Sequence, residues 1–108
     1  MVFCFSECES SGEVFPVFLK KPETQITDEL GTVILECEVI GSPQPEISWV
    51  INGTQVIEGA RHRMSYDGRV AMLVIRKVAL EENGKVQCVA QNISGKISAD
   101  CRLVVQGI

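Results

Sequence analysis

The sequence predicts an all-β fold, a sandwich of two antiparallel sheets, on three observations. From Pro16 onward, short runs alternate apolar and polar residues and are separated by turn signals about every ten residues. No segment sustains a helical period over enough turns to compete. Cys37, Trp49 and Cys88 each fall in one of the runs, on the side that the alternation marks as apolar.

Each run supplies one stripe. In TVILECEV, Val33, Leu35, Cys37 and Val39 share a face while Glu36 and Glu38 take the other. The loop GSPQP follows, where the fixed φ of Pro43 and Pro45 stiffens the approach without removing a ladder donor. Ile47, Trp49 and Ile51 form the stripe of ISWVI, and Asn52-Gly53 then suits a tight turn, since both residues tolerate positive φ. Asp67-Gly68 turns the chain before AMLVIRKV, whose stripe is Ala71, Leu73 and Ile75. KVQCVAQ contributes Val86, Cys88 and Ala90. Asn92 through Gly95 closes another hairpin, and DCRLVVQ contributes Cys101, Leu103 and Val105. Successive side chains point to opposite faces of a strand, so five one-sided stripes bury themselves only if two sheets pack face to face. Residues 1–15 mix Ser, Gly and Glu with no period and read as a tail or linker; residues 16–106 read as the folded domain.

Composition narrows the function classes. The 108 residues carry a formal net charge of -4 and no basic run longer than the pairs Lys20-Lys21 and Arg76-Lys77, so the positive footprint needed for nucleic acid or an anionic membrane is missing. No run is long enough to span a bilayer as a helix. The N-terminal MVFCFSECESSGEVF lacks a basic n-region and is interrupted by Glu7, Glu9 and Glu13, which argues against a signal peptide and for an intracellular setting. Five cysteines, an odd count, fit a fully paired secreted framework poorly. Cys4 and Cys8 have metal-ligand spacing but no second pair to complete a site, and read as free thiols on the tail. Cys101, on an inward position, reads as a small buried hydrophobe.

No catalytic constellation is expected. His62 is the only histidine and stands between Arg61 and Arg63 on what should be an exposed strand, an isolated imidazole without a nucleophile. Ser48 and Ser65 read as outward strand residues. No phosphate loop or calcium-binding carboxylate set is present, and no cofactor or metal is expected. Asn52-Gly53-Thr54 and Asn92-Ile93-Ser94 match the N-glycosylation sequon, yet both asparagines fall where a turn wants Asn.

Cysteine, tryptophan and cysteine at this spacing, with Cys37 and Cys88 51 positions apart, are the mark of an immunoglobulin-type sandwich. The segments PVFLKKP, CEVIGSPQPEISWVINGTQVI, YDGRVAMLVIRKV and CVAQNISGKISADCRLVV resemble the intermediate-set immunoglobulin domains of titin, twitchin, obscurin and the myosin light-chain kinases. The resemblance runs from about Pro16 to Val105 and implies the strand order A, A′, B, C, C′, D, E, F, G. It implies Cys37 and Cys88 as a pair close enough to bond and Trp49, Leu35, Leu73, Val86 and Leu103 as core. One departure is plain. Where the family shows Asp-x-Gly-x-Tyr-x-Cys, this chain has Glu82, Asn83, Gly84, Lys85, Val86, Gln87 and Cys88, so Val86 replaces the tyrosine that makes a corner hydrogen bond.

The resemblance further implies a non-enzymatic structural and protein-binding module of a large cytoplasmic protein of the sarcomere or cytoskeleton. Its partners would be neighbouring immunoglobulin or fibronectin-type modules and sarcomeric or cytoskeletal proteins, and the isolated domain would be a monomer. The alternative is an extracellular adhesion or receptor domain, which the sequons and the Cys37–Cys88 pair would suit. For a partner surface the alternation itself offers a candidate: if Trp49 and Cys88 face inward, Val50 and Val89 face outward on adjacent strands, among Ser48, Gln87 and Gln91. The competing site is the edge of strand A or strand G, where another chain can add a strand.

Overall fold

A computed structural model describes residues 14–107 of the chain. Nine strands run in order: β1 (Val14–Lys20), β2 (Gln25–Asp28), β3 (Val33–Ser42), β4 (Glu46–Ile51), β5 (Thr54–Gln55), β6 (His62–Tyr66), β7 (Val70–Ile75), β8 (Gly84–Asn92) and β9 (Gly95–Gln106). One sheet has the order β1-β3-β7-β6, the other β2-β9-β8-β4-β5. They correspond one for one to A through G. Cys4 and Cys8 lie outside the described residues. The first strand begins at Val14, two residues before the expected start of the domain.

The stripes read from the sequence meet between the sheets. Val33, Leu35, Cys37 and Val39 of β3 pack with Ala71, Leu73 and Ile75 of β7 on one side; Trp49, Val86, Cys88, Ala90 and Leu103 close from the other. Trp49 stands opposite Cys88 in the β4–β8 ladder and is 1% exposed. Val78, in the loop after β7, is fully buried as well; no alternation marks a lone loop valine, so periodicity does not find it.

Every neighbouring pair is antiparallel except β2 and β9, which run parallel with Leu103 opposite Gln25 and Gln106 opposite Asp28. The switch happens at Lys21–Thr24. Pro22, buried and without an N–H, cannot continue the β1–β3 ladder, and the chain crosses to the other sheet there. Strand G is β9. It pairs with β8 over Gly95–Leu103 and with β2 only over Leu103–Gln106, so one side of its Gly95–Arg102 stretch has no strand partner among the described residues; the outermost strands of the two sheets are β1, β6, β2 and β5.

The turns follow their chemistry. Asn52 (φ 50°) and Gly53 (φ 83°) take the left-handed conformations that the two-residue β4–β5 turn requires. The Asp67 carboxylate accepts from the Val70 and Arg69 main-chain N–H groups, and those two bonds hold it below the usual carboxylate range. At the same pole, where Gly68 lies against the Gln44 side chain, Pro45 is fully buried and Gly41 passes so close that an added Cβ would sit 2.9 Å from the proline ring. The Ser42–Pro43 bond is cis.

Candidate functional site

The outward face of β9, β8 and β4 carries a hollow of about 450 Å³ lined by Glu46, Ser48, Val50, Gln55, Val89, Gln91 and Lys96. The ladders order it in rows: Glu46, Gln91 and Lys96; Ser48, Val89 and Ser98; Val50, Gln87 and Asp100. Val50 and Val89 are therefore diagonal neighbours, the kind of pair whose Cα atoms lie about 7–8 Å apart. Both are half-buried, and their surroundings are polar. Glu46 and Lys96 put opposite charges at one end.

Behind this face lies the thiol–indole centre. Cys37 and Cys88 are wholly buried with their Sγ atoms 2.9 Å apart. Contact with Cys37 and burial push the Cys88 thiol far above its ordinary range, and burial pushes Cys101 up to about 11. Cys88 and Cys101 thus stay protonated near neutral pH and buried, which is the opposite of a reactive cysteine's setting. The core encloses this pair with Leu35, Leu73, Trp49, Val86 and Leu103, each at most 1% exposed. Both thiols are free here; a bond between them would close a loop worth about 4 kcal/mol in the chain-entropy picture. With a core this complete, reductant should at most lower the melting temperature, without unfolding the domain at room temperature. Circular dichroism melts with and without reductant check it, and unfolding by reductant alone would show that the fold depends on the bond.

His62 is not the isolated surface imidazole expected. Its Nε2 lies 2.6 Å from Glu82 Oε2, while Arg61 donates to Glu82 Oε1 at 2.9 Å and the Ala79 main-chain N–H donates to the same oxygen at 2.9 Å. Glu82 belongs to a 3₁₀ turn, Leu80–Glu82, and is the single buried charged side chain among the described residues. Burial alone would raise its pKa; the donors from Ala79, Arg61 and His62 outweigh that and hold its carboxyl below the usual carboxylate range. The network ties β6 to the β7–β8 connection. Alternation cannot reveal it, because its members sit at strand ends and in a turn. Its one sequence signal is an acid two residues before Gly84, with a basic pair on strand D.

The corner lacking its tyrosine is held by asparagines instead. Val86 fills the apolar position, fully buried, and Asn83 Oδ1 accepts from the Val105 main-chain N–H at 2.8 Å. Asn52 Nδ2 donates to the carbonyls of Glu81 (3.3 Å) and Asn83 (3.1 Å), and Asn52 Oδ1 accepts from Lys85 N–H at 3.0 Å. At the other pole Asn92 Nδ2 donates to the carbonyls of Val14 (2.8 Å) and Pro43 (3.0 Å), and its Oδ1 accepts from Ser94 and Gly95. Both hydrogens of each sequon amide are therefore engaged with main chain. Ser48 is half-buried on the outward face and Ser65 exposed, neither near His62 in the ladder. Among the described residues no group of three His, Cys, Asp or Glu side chains gathers around a common point.

Comparison with known proteins agrees with the geometry. The family model described as "Immunoglobulin I-set domain" matches residues 16–105. Titin of Drosophila melanogaster is 33% identical over 92 residues, covering 84% of this chain and a share of titin that rounds to 0%. Cardiac-type myosin-binding protein C of Mus musculus is 44% identical over 73 residues, 68% of this chain and 6% of that protein. Neogenin of Homo sapiens is 30% identical over 100 residues, 93% of this chain and 7% of neogenin. The chain thus spans a small fraction of each relative. A solved complex of titin with an obscurin-like 1 immunoglobulin domain superposes with a TM-score of 0.84 at 25% identity, over 88% of this chain and 97% of that one. The sandwich, the strand order and the Cys37–Trp49–Cys88 centre all lie within the matched residues, and the chain belongs to the immunoglobulin I-set domain family.

Proposed function

We propose that this chain is a non-enzymatic structural and protein-binding module of a large intracellular multidomain protein of the sarcomere or cytoskeleton. It acts as a spacer that resists extension and offers one face to a partner. The hollow around Val50 and Val89 carries the binding part of this reading, because it sets two adjacent apolar side chains in a concave, otherwise polar sheet face. The parallel β2–β9 ladder supports the mechanical part: tension applied at the two ends of the chain pulls β2 and β9 in opposite directions along their length. Its hydrogen bonds are then loaded together rather than one after another.

The double variant Val50→Lys/Val89→Lys tests the surface. Lysine stems can lie along the sheet with their ammonium groups in water, so the melting temperature should fall by no more than a few degrees. Capture of a sarcomeric immunoglobulin module, measured with the isolated domain, should weaken severalfold. Undiminished capture would move the site to the edge of β1 or of β9.

An extracellular adhesion or receptor domain is the second reading, favoured by the two sequons and the adjacent Cys37 and Cys88. The engaged amides of Asn52 and Asn92 weigh against it, since a glycan would replace one clamp hydrogen at each site. Similarity does not choose between the settings, because the matches to titin and to neogenin are of comparable identity.

A further inference from the structure

Asn52-Gly53 is the dipeptide in which an asparagine side chain closes onto the next main-chain nitrogen with least hindrance, because glycine puts no Cβ beside that nitrogen. We propose that Asn52 is a deamidation site gated by the fold, so that opening of the corner between β4 and β8 is converted into a permanent chemical mark. The inference holds in either cellular setting.

The step needs only water. The deprotonated Gly53 nitrogen attacks Asn52 Cγ; the new N–Cγ bond forms as the Cγ–Nδ2 bond breaks, and ammonia leaves with the proton. Water then opens the five-membered imide at either carbonyl, giving aspartate or isoaspartate. No electron is gained or lost.

In the folded domain the carboxamide is held away from this path. Its three hydrogen bonds, to Glu81, Asn83 and Lys85, run across to the start of β8. It also lies flat against Gly84, so closely that a Cβ built there would fall 2.1 Å from Asn52 Oδ1. Ring closure requires Cγ to swing toward Gly53, which breaks all three bonds at once. Crowding is not the restraint: Gly53 has open space where a Cβ would stand, and Asn52 is exposed to water. The clamp is the restraint, and local opening removes it.

The product cannot re-form the clamp. A carboxylate has no hydrogen to donate. It would set its charge against two carbonyl oxygens, beside the acids of Glu81 and Glu82 that share this corner. Isoaspartate adds a methylene to the main chain of a two-residue turn and breaks the pairing of Ile51 with Thr54.

Peptide mapping by mass follows the conversion in the native domain and in the domain unfolded by urea, in the same mildly alkaline buffer at body temperature. Conversion at Asn52 should be at least roughly tenfold faster unfolded, because the three bonds must be lost before the ring can close. Asn92, followed by Ile93, should stay slow in both and serves as the internal comparison. Gly53→Ala should suppress the fast reaction in urea, and Asn52→Asp should melt several degrees below the parent. Equal rates at Asn52 in the folded and unfolded states would overturn the gating, and an Asn52→Asp domain melting with the parent would overturn the mark. The rate comparison uses the parent chain alone and stands even if a variant fails to fold.

Discussion

Replacing Trp49 with alanine is expected to cost about 3–5 kcal/mol, the range for emptying a large aromatic from a core. The indole is 1% exposed, in the same buried cluster as Leu35, Leu73 and the two thiols, so its removal empties the centre of the core. Against a total stability of about 5–15 kcal/mol, this leaves little folded protein at body temperature. Thermal or urea unfolding followed by circular dichroism measures it. A cooperative transition near the parent's midpoint would remove Trp49 from the centre of the core.

Glu82→Ala should be the next most damaging change. It removes one buried acid that three donors share, leaving the Ala79 N–H and the half-buried His62 without their acceptor, and should cost about 3 kcal/mol. Arg61 is more exposed, with 38% of its side chain accessible, so Arg61→Ala should cost about 1 kcal/mol or less. The same network gives an acid dependence with a definite sign. Because the folded state holds the Glu82 carboxyl below its unfolded range, its contribution is complete above about pH 4.3 and is lost as pH falls through the depressed value. Asp67, held down by the Val70 and Arg69 N–H groups, adds in the same direction. Stability measured from neutral to acid should therefore drop below that point, and the drop should be smaller in Glu82→Ala. An identical acid slope in parent and variant would show that the carboxylate carries no folding stability.

The sequence by itself determined the sandwich, the inward stripes and the Cys37–Trp49–Cys88 centre. These follow from a period of two and from turn residues, which are local properties that each strand expresses whatever its neighbours do. It also placed Val50 and Val89 on one outward face, since a single residue step reverses the side chain. That Val89 stands diagonal to Val50 in one hollow, with Glu46 and Lys96 closing one end, depended on the β4–β8–β9 register. The burial of Val78, the parallel β2–β9 pairing at the end of strand G, and the Glu82 network with His62 were decided only in three dimensions. So was the use of Asn52, Asn83 and Asn92 as main-chain clamps. The reason is common to all of them: each joins residues from loops or strand ends that carry no period, and two of the Asn92 bonds span 78 and 49 positions. Such contacts exist only once the sheets have packed and brought those carbonyls and donors within reach.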